Sequence, residues 1–203
     1  MKSASCYFLI SCSFILFHIP VKAKFYAADS SRKDSSVFAY ADAKFDINDK
    51  TSFHKSINGF IINYPETWER DRRTTDNLVL YVRPSDPKFP AQFREMFTIL
   101  REPVEDTSKT LYEYVMMQNA INETTWKKYN IDYEVLLMSE FSVNGFSAYQ
   151  VHSSLPKVSQ EKLQVIIIKD HYAYRFEYTA TNLSYDVFLE DVRKVINSFV
   201  FTE

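Results

Sequence analysis

The sequence predicts an α+β domain in which an antiparallel β-sheet is flanked by helices. Three observations carry this. Strand-like runs meet at Asn144-Gly145 and again at Asp170-His171, so the second half of the chain reads as two consecutive hairpins. Tight connections of this kind are antiparallel, whereas a parallel sheet needs crossovers of a dozen residues or more. From Phe188 to Phe199, apolar residues recur at the spacing of a helix whose one oily stripe packs on a sheet.

The chain opens on MKSASCYFLISCSFILFHIPVKA, where one lysine precedes an apolar run from Tyr7 to Ile19 and small residues end at Ala23. That order is the pattern of a removable signal peptide over residues 1–23. A membrane span needs about 20 apolar residues. Ser11, Ser13 and Pro20 interrupt a run that is already shorter, so a retained anchor is the lesser reading. Leu9-Ile10-Ser11-Cys12 matches a bacterial lipidation box locally, but apolar sequence continues past the cysteine. The expected product is exported to a periplasmic or extracellular space, with no membrane span in the mature chain.

Cleavage after Ala23 removes Cys6 and Cys12, which are both of the cysteines. A disulfide framework, a thiolate zinc site and a cysteine nucleophile are then excluded together. Lys2 and Lys22 leave too, so 22 basic residues face 26 acidic ones, a net charge of −4. A chain of that charge has no general attraction to nucleic acid or anionic lipid. Roughly 180 residues remain, enough for one domain that buries about 70% of its unfolded surface.

Residues 24–55 are rich in Ser, Asp, Lys and Ala without sustained periodicity and read as a flexible leader with room for one short strand. The folded domain is expected over 56–203. "INGFIINYP" is a strand entered by a turn at Asn58-Gly59 and closed by Pro65; "NLVLYVRPSDPKFP" is a second, ending in a proline-rich loop at 84–90; "FREMFTILREP" is a third. Thr110-Leu111-Tyr112-Glu113 fits a capping box, in which the threonine oxygen and the glutamate each satisfy an orphaned backbone donor. A helix follows over about 110–123, with Leu111, Tyr114, Val115 and Gln118 on one face. Val165 to Ile168 is apolar on consecutive positions, so its strand is expected to be covered on both sides. Its hairpin partner alternates Tyr172, Tyr174, Phe176, Tyr178 and Ala180 with Ala173, Arg175, Glu177 and Thr179, one oily face and one mostly polar.

Taken together, "GFIINYPETWERD", "SKTLYEYV", "VNGFSAYQV" and "YAYRFEYTATNLSYDVFLEDVRKVINSFVF" resemble the PsbP-like superfamily, which includes the Mog1 proteins, over about residues 57–201. The resemblance implies a Mog1/PsbP-like α/β/α sandwich and a binding or assembly role without catalysis. It carries over no functional residue.

The candidate sites are few. Gly145-Phe146-Ser147 lacks the second glycine of a nucleophile elbow and has strand on both sides, so Gly145 is expected to serve a turn. The hydrolase reading would need Ser147 beside His152 or His171, and the metal reading would need those two histidines with Asp170; neither has a supporting motif, and no cofactor is expected. "WERDRR" places Trp68 before Arg70, Arg72 and Arg73, an aromatic anchor with forked donors for an acidic partner. The plainer expectation has Trp68 capping the core. The functional expectation is a protein-binding or assembly domain with an unknown partner; the alternative is a carrier holding a small apolar ligand between sheet and helix.

Overall fold

Antiparallel pairing organises the described chain. The computed structural model describes residues 43–71, 75, 77–85 and 95–202. The expected signal peptide, most of the expected leader, Arg72, Arg73 and the loop at 86–90 lie outside the described residues. In chain order the strands are β1 (Thr51–Ser56), β2 (Phe60–Pro65), β3 (Trp68–Arg70), β4 (Leu78–Pro84), β5 (Met96–Pro103), β6 (Glu134–Val143), β7 (Phe146–Leu155), β8 (Gln160–Lys169), β9 (Tyr172–Thr181) and β10 (Val200–Phe201). Helix α1 (Leu111–Lys128) follows β5, and α2 (Tyr185–Asn197) follows β9.

Seven strands form one sheet in the order β3-β4-β5-β9-β8-β7-β6, and a second sheet has the order β1-β2-β10. Both two-residue hairpins form as the sequence predicts. Asn144 and Gly145 have φ of 47° and 86°, and Asp170 and His171 have 50° and 65°, the doubly positive geometry whose twist matches the flanking strands. The capping box is also present, with Thr110 Oγ1 accepting from the Glu113 N–H at 3.2 Å and Glu113 Oε2 accepting from the Thr110 N–H at 2.8 Å. Helix α1 runs to Lys128, a turn beyond the expected end.

Each face of the large sheet has its own cover. Helix α2 lies on one, where Phe188, Val192, Val195 and Ile196 meet Tyr174, Phe176 and Tyr178 of β9. Helix α1 lies on the other, where Tyr114 and Val115 meet Val151, Ile166 and Ala173. The consecutive apolar residues of β8 follow from this, because Val165 and Ile167 face α2 while Ile166 faces α1.

The small sheet was not foreseen. It shares the α2 layer through Phe60, whose ring lies 5.1 Å from that of Phe199, which in turn lies 4.8 Å from Phe176 and 4.7 Å from Phe201. β1 pairs along its whole length with β2, and Asn197 Nδ2 donates to the Ala43 carbonyl at 2.9 Å, so residues 43–55 belong to folded structure. His54 and Ser56 are the inward residues of β1, and their polarity hides the strand period from the sequence.

Candidate functional site

Ser147 lies two positions past the Asn144-Gly145 turn, exposed and opposite Ser142. Side chains alternate along β7, so Ser147 shares the α1 face with Val151 while His152 turns to the α2 face. The His152 Nε2 lies 2.6 Å from Glu161 Oε2, and its ring stacks on Tyr185 at 4.7 Å between centroids. His171 occupies the β8–β9 turn. β8 separates the two histidines, since His152 sits opposite Leu163 and the turn follows Lys169, a strand length of about 20 Å. The structure thus brings Ser147, His152 and His171 to three different places. Among the described residues no three His, Cys, Asp or Glu side chains stand close enough to hold a metal ion.

Trp68 is not in a loop. It opens β3 with 5% of its surface exposed, its ring edge-on to Phe188 of α2 at 6.4 Å. The indole is buried as core, which removes it as a surface anchor, and its strand pairing with Pro84 explains the inward turn. Arg70 is exposed at the far end of β3, where its charge and burial together hold the His54 imidazole below its ordinary pKa, burial being the larger cause. His54 itself is buried against Phe60 at 5.9 Å with its Nε2 unpaired.

A charged layer lies between α1 and the sheet. Arg175 of β9 reaches Glu102 of β5 at 3.1 Å and Gln118 of α1 at 2.6 Å. Lys162 of β8 lies 2.9 Å from Glu177, which also accepts from Gln164 at 2.7 Å; Gln164 in turn accepts from Asn122 of α1 at 3.2 Å. Burial alone would raise the Glu177 carboxyl, but Lys162 and Arg175, with hydrogen bonds from Lys162 and Gln164, hold it down to about 2. Burial and the neighbouring Glu102 push the Tyr114 phenol well above its ordinary range. The polar face of β9 is therefore an interior surface whose charges are neutralised in pairs. Its function is to seat the helix, since each carboxylate already has its cation.

Three of the exposed large apolar residues lie on the small sheet, and others, among them Ile47, Ile121 and Leu183, are spread over the rest of the surface. Phe53 of β1 is 69% exposed, Ile57 at the β1–β2 turn is fully exposed and Val200 of β10 is 52% exposed. Val200 lies opposite Ile61, and Phe53 opposite Asn63 on the same outer face, with Lys55 between Phe53 and Ile57. Sequence reasoning missed this face because Phe53 is a lone aromatic in a polar stretch and Val200 follows a helical stripe. The only available signal was that neither residue fits the period of its neighbours.

Fold and site together define an α+β domain of Mog1/PsbP-like fold with a charge-paired layer beneath α1 and apolar side chains on the outer face of its small sheet. Among solved structures it is similar to the cyanobacterial PsbP, CyanoP, of Synechocystis. The TM-score is 0.55 at 12% identity, over 74% of this chain and 92% of that one. It is also similar to LpqN of Mycobacterium tuberculosis, a protein involved in cell envelope biogenesis, at TM-score 0.53 and 11% identity over 77% of this chain and 88% of that one. At these identities the likeness is one of fold. No protein-family model matches the chain, and no curated protein does. No helix among the described residues is long and apolar enough to cross a membrane.

Proposed function

We propose that this chain is an exported, non-catalytic domain that docks a protein partner, acting as an assembly or binding factor at the cell envelope. The observation that carries this is the outer face of the small sheet, where Phe53, Ile57 and Val200 leave apolar surface in water. Large side chains kept exposed together on one rigid face mark interaction surfaces. Ile61, half-buried beneath them, extends the same patch, and Lys55 supplies a polar contact within it. The likeness to LpqN and CyanoP supports the reading at the level of fold, and the envelope role of LpqN agrees with the expected signal peptide.

The carrier reading has less support. The rings of Phe60, Phe176, Phe199 and Phe201 already touch where a ligand between sheet and helix would lie.

The test compares the wild-type chain with the F53S/I57S/V200S variant by cross-linked affinity capture from producing cells. One protein is expected at near-equal amount with the wild type and depleted about tenfold with the variant, at an unchanged melting temperature. An identical set of captured proteins from both chains overturns the proposal.

A further inference from the structure

A second surface, separate from the outer face of the small sheet, has the features of a peptide groove. β6 closes one end of the seven-stranded sheet and pairs, among the described residues, with β7 alone. It is ten residues long, and such an edge offers a row of backbone donors and acceptors to another strand. The closing pair of a two-residue hairpin exchanges both hydrogen bonds, and the pairs alternate from there. Val143 and Phe146 are that pair, so Ser142, Glu140 and Met138 turn their N–H and C=O groups away from β7. A bulge between Val135 and Leu137 ends this regular stretch.

Helix α1 walls the same edge on one side. Tyr112, Asn119 and Glu123 recur at helical spacing along one flank of α1, which meets β6 at Asn119. Tyr112 packs on Tyr149 at 5.9 Å, and Asn119 lies 3.8 Å from the Met138 sulfur and accepts from the Tyr133 hydroxyl at 3.0 Å. The Glu140 side chain stands on this face too, where its Oε2 accepts from the Tyr149 hydroxyl at 3.3 Å. On the α1 face β6 carries Glu140 and no cation, Glu134 lying on the other face; the flank adds Glu123, with Lys127 a turn further on. Glu140 and Glu123 are both exposed.

We propose that the β6 edge and the α1 flank together bind an extended basic segment of another protein, which adds as an antiparallel strand. Its residue opposite Glu140 places a lysine or arginine side chain on the α1 face, at the cross-strand distance of about 5 Å between Cβ atoms, and the next residue but one along the strand meets Asn119 or Glu123. Backbone pairing supplies the geometry. The carboxylates choose the sequence, because a partner strand with an acid opposite Glu140 sets two like charges side by side.

The probe is a short peptide alternating lysine with threonine or valine, labelled for fluorescence anisotropy and titrated with the wild-type chain. Its acidic counterpart, alternating glutamate, is expected to bind at least about tenfold more weakly. Glu140→Lys is expected to lower affinity for the basic peptide about tenfold and to raise it for the acidic one. Glu134→Lys provides an internal control, since Glu134 lies beyond the bulge opposite Ser154, on the other face, and should change affinity less than about twofold. N-methylating alternate backbone nitrogens of the peptide is expected to abolish binding. Equal binding of the methylated peptide, equal effects of the two glutamate variants, or self-association through β6 by sedimentation with no peptide bound each overturns the proposal. None of these results bears on Phe53, Ile57 and Val200, so this site and the docking face stand or fall separately.

Discussion

Gly145 and Asn144 show how much one turn carries. A Cβ added at Gly145 meets nothing within 4 Å, so a substitution there costs only the strain of a side chain at φ +86°. Gly145→Ala should lower stability by about 1 kcal/mol in urea unfolding. Asn144→Ala should cost more, because Asn144 Nδ2 also donates to the Asn197 and Phe199 carbonyls at 2.9 and 2.6 Å and ties the hairpin to the end of α2. His54 adds a pH dependence. Its folded pKa lies below the ordinary 6.5, through burial and then the charge of Arg70, so the fold favours the neutral ring. Its contribution is complete above about pH 6.5 and is lost as the pH falls through the folded value. Wild-type stability should therefore decline from pH 7 to 5, and the decline should flatten in His54→Leu; equal slopes in the two proteins would refute this assignment.

The elements differ in how openly the sequence declares them. α2 was legible because a single oily stripe from Phe188 to Phe199 meets a flat sheet, and the stripe residues are all buried. Both hairpins were legible because their turns demand particular residues. α1 was legible at its start through the capping box, and Thr110→Ala should cost about 1 kcal/mol in thermal unfolding. Its inner face was harder to read. Gln118 was placed on that face but its partner Arg175 was not, and Asn122 looks like a solvent-facing residue until it meets Gln164, a partner distant in sequence. Glu177→Gln leaves Lys162 and Arg175 without their shared carboxylate and should destabilise by about 3 kcal/mol. Because the Glu177 carboxyl titrates at about 2, its stabilisation is present above its ordinary value near 4.5 and is lost as the pH falls towards 2. That window lies well below the one set by His54, so acid titrations of the two variants separate them. β3 itself was not read from the sequence, because Trp68 stands among charges; the plainer expectation, Trp68 against the core, agrees with its burial, and pairing with β4 makes the segment a strand instead of a loop.

At the scale of the whole molecule, fold class was readable and the small sheet with its exposed apolar side chains was not. Tight turns and amphipathic periods are local, whereas the small sheet joins β2 to strands from opposite ends of the domain. A chain starting at residue 43 keeps β1 and its pairing with β2. One starting at Ile57 lacks β1, which leaves Ile62 and Phe60 partly uncovered, and should melt at least about 5 °C lower. Equal melting of the two would place β1 outside the cooperative unit.

The pairing of Phe60 with Phe201, extended by the hydrogen bond from the Thr202 N–H to the Gly59 carbonyl, has a kinetic consequence. Two segments nearly a full domain apart must find each other, and closing so long a loop is slow compared with zipping a two-residue hairpin. Amide protons of Ile61 and Val200 should thus gain protection from exchange after those of the β8–β9 hairpin during refolding, making the last pair to close the one that seals the molecule.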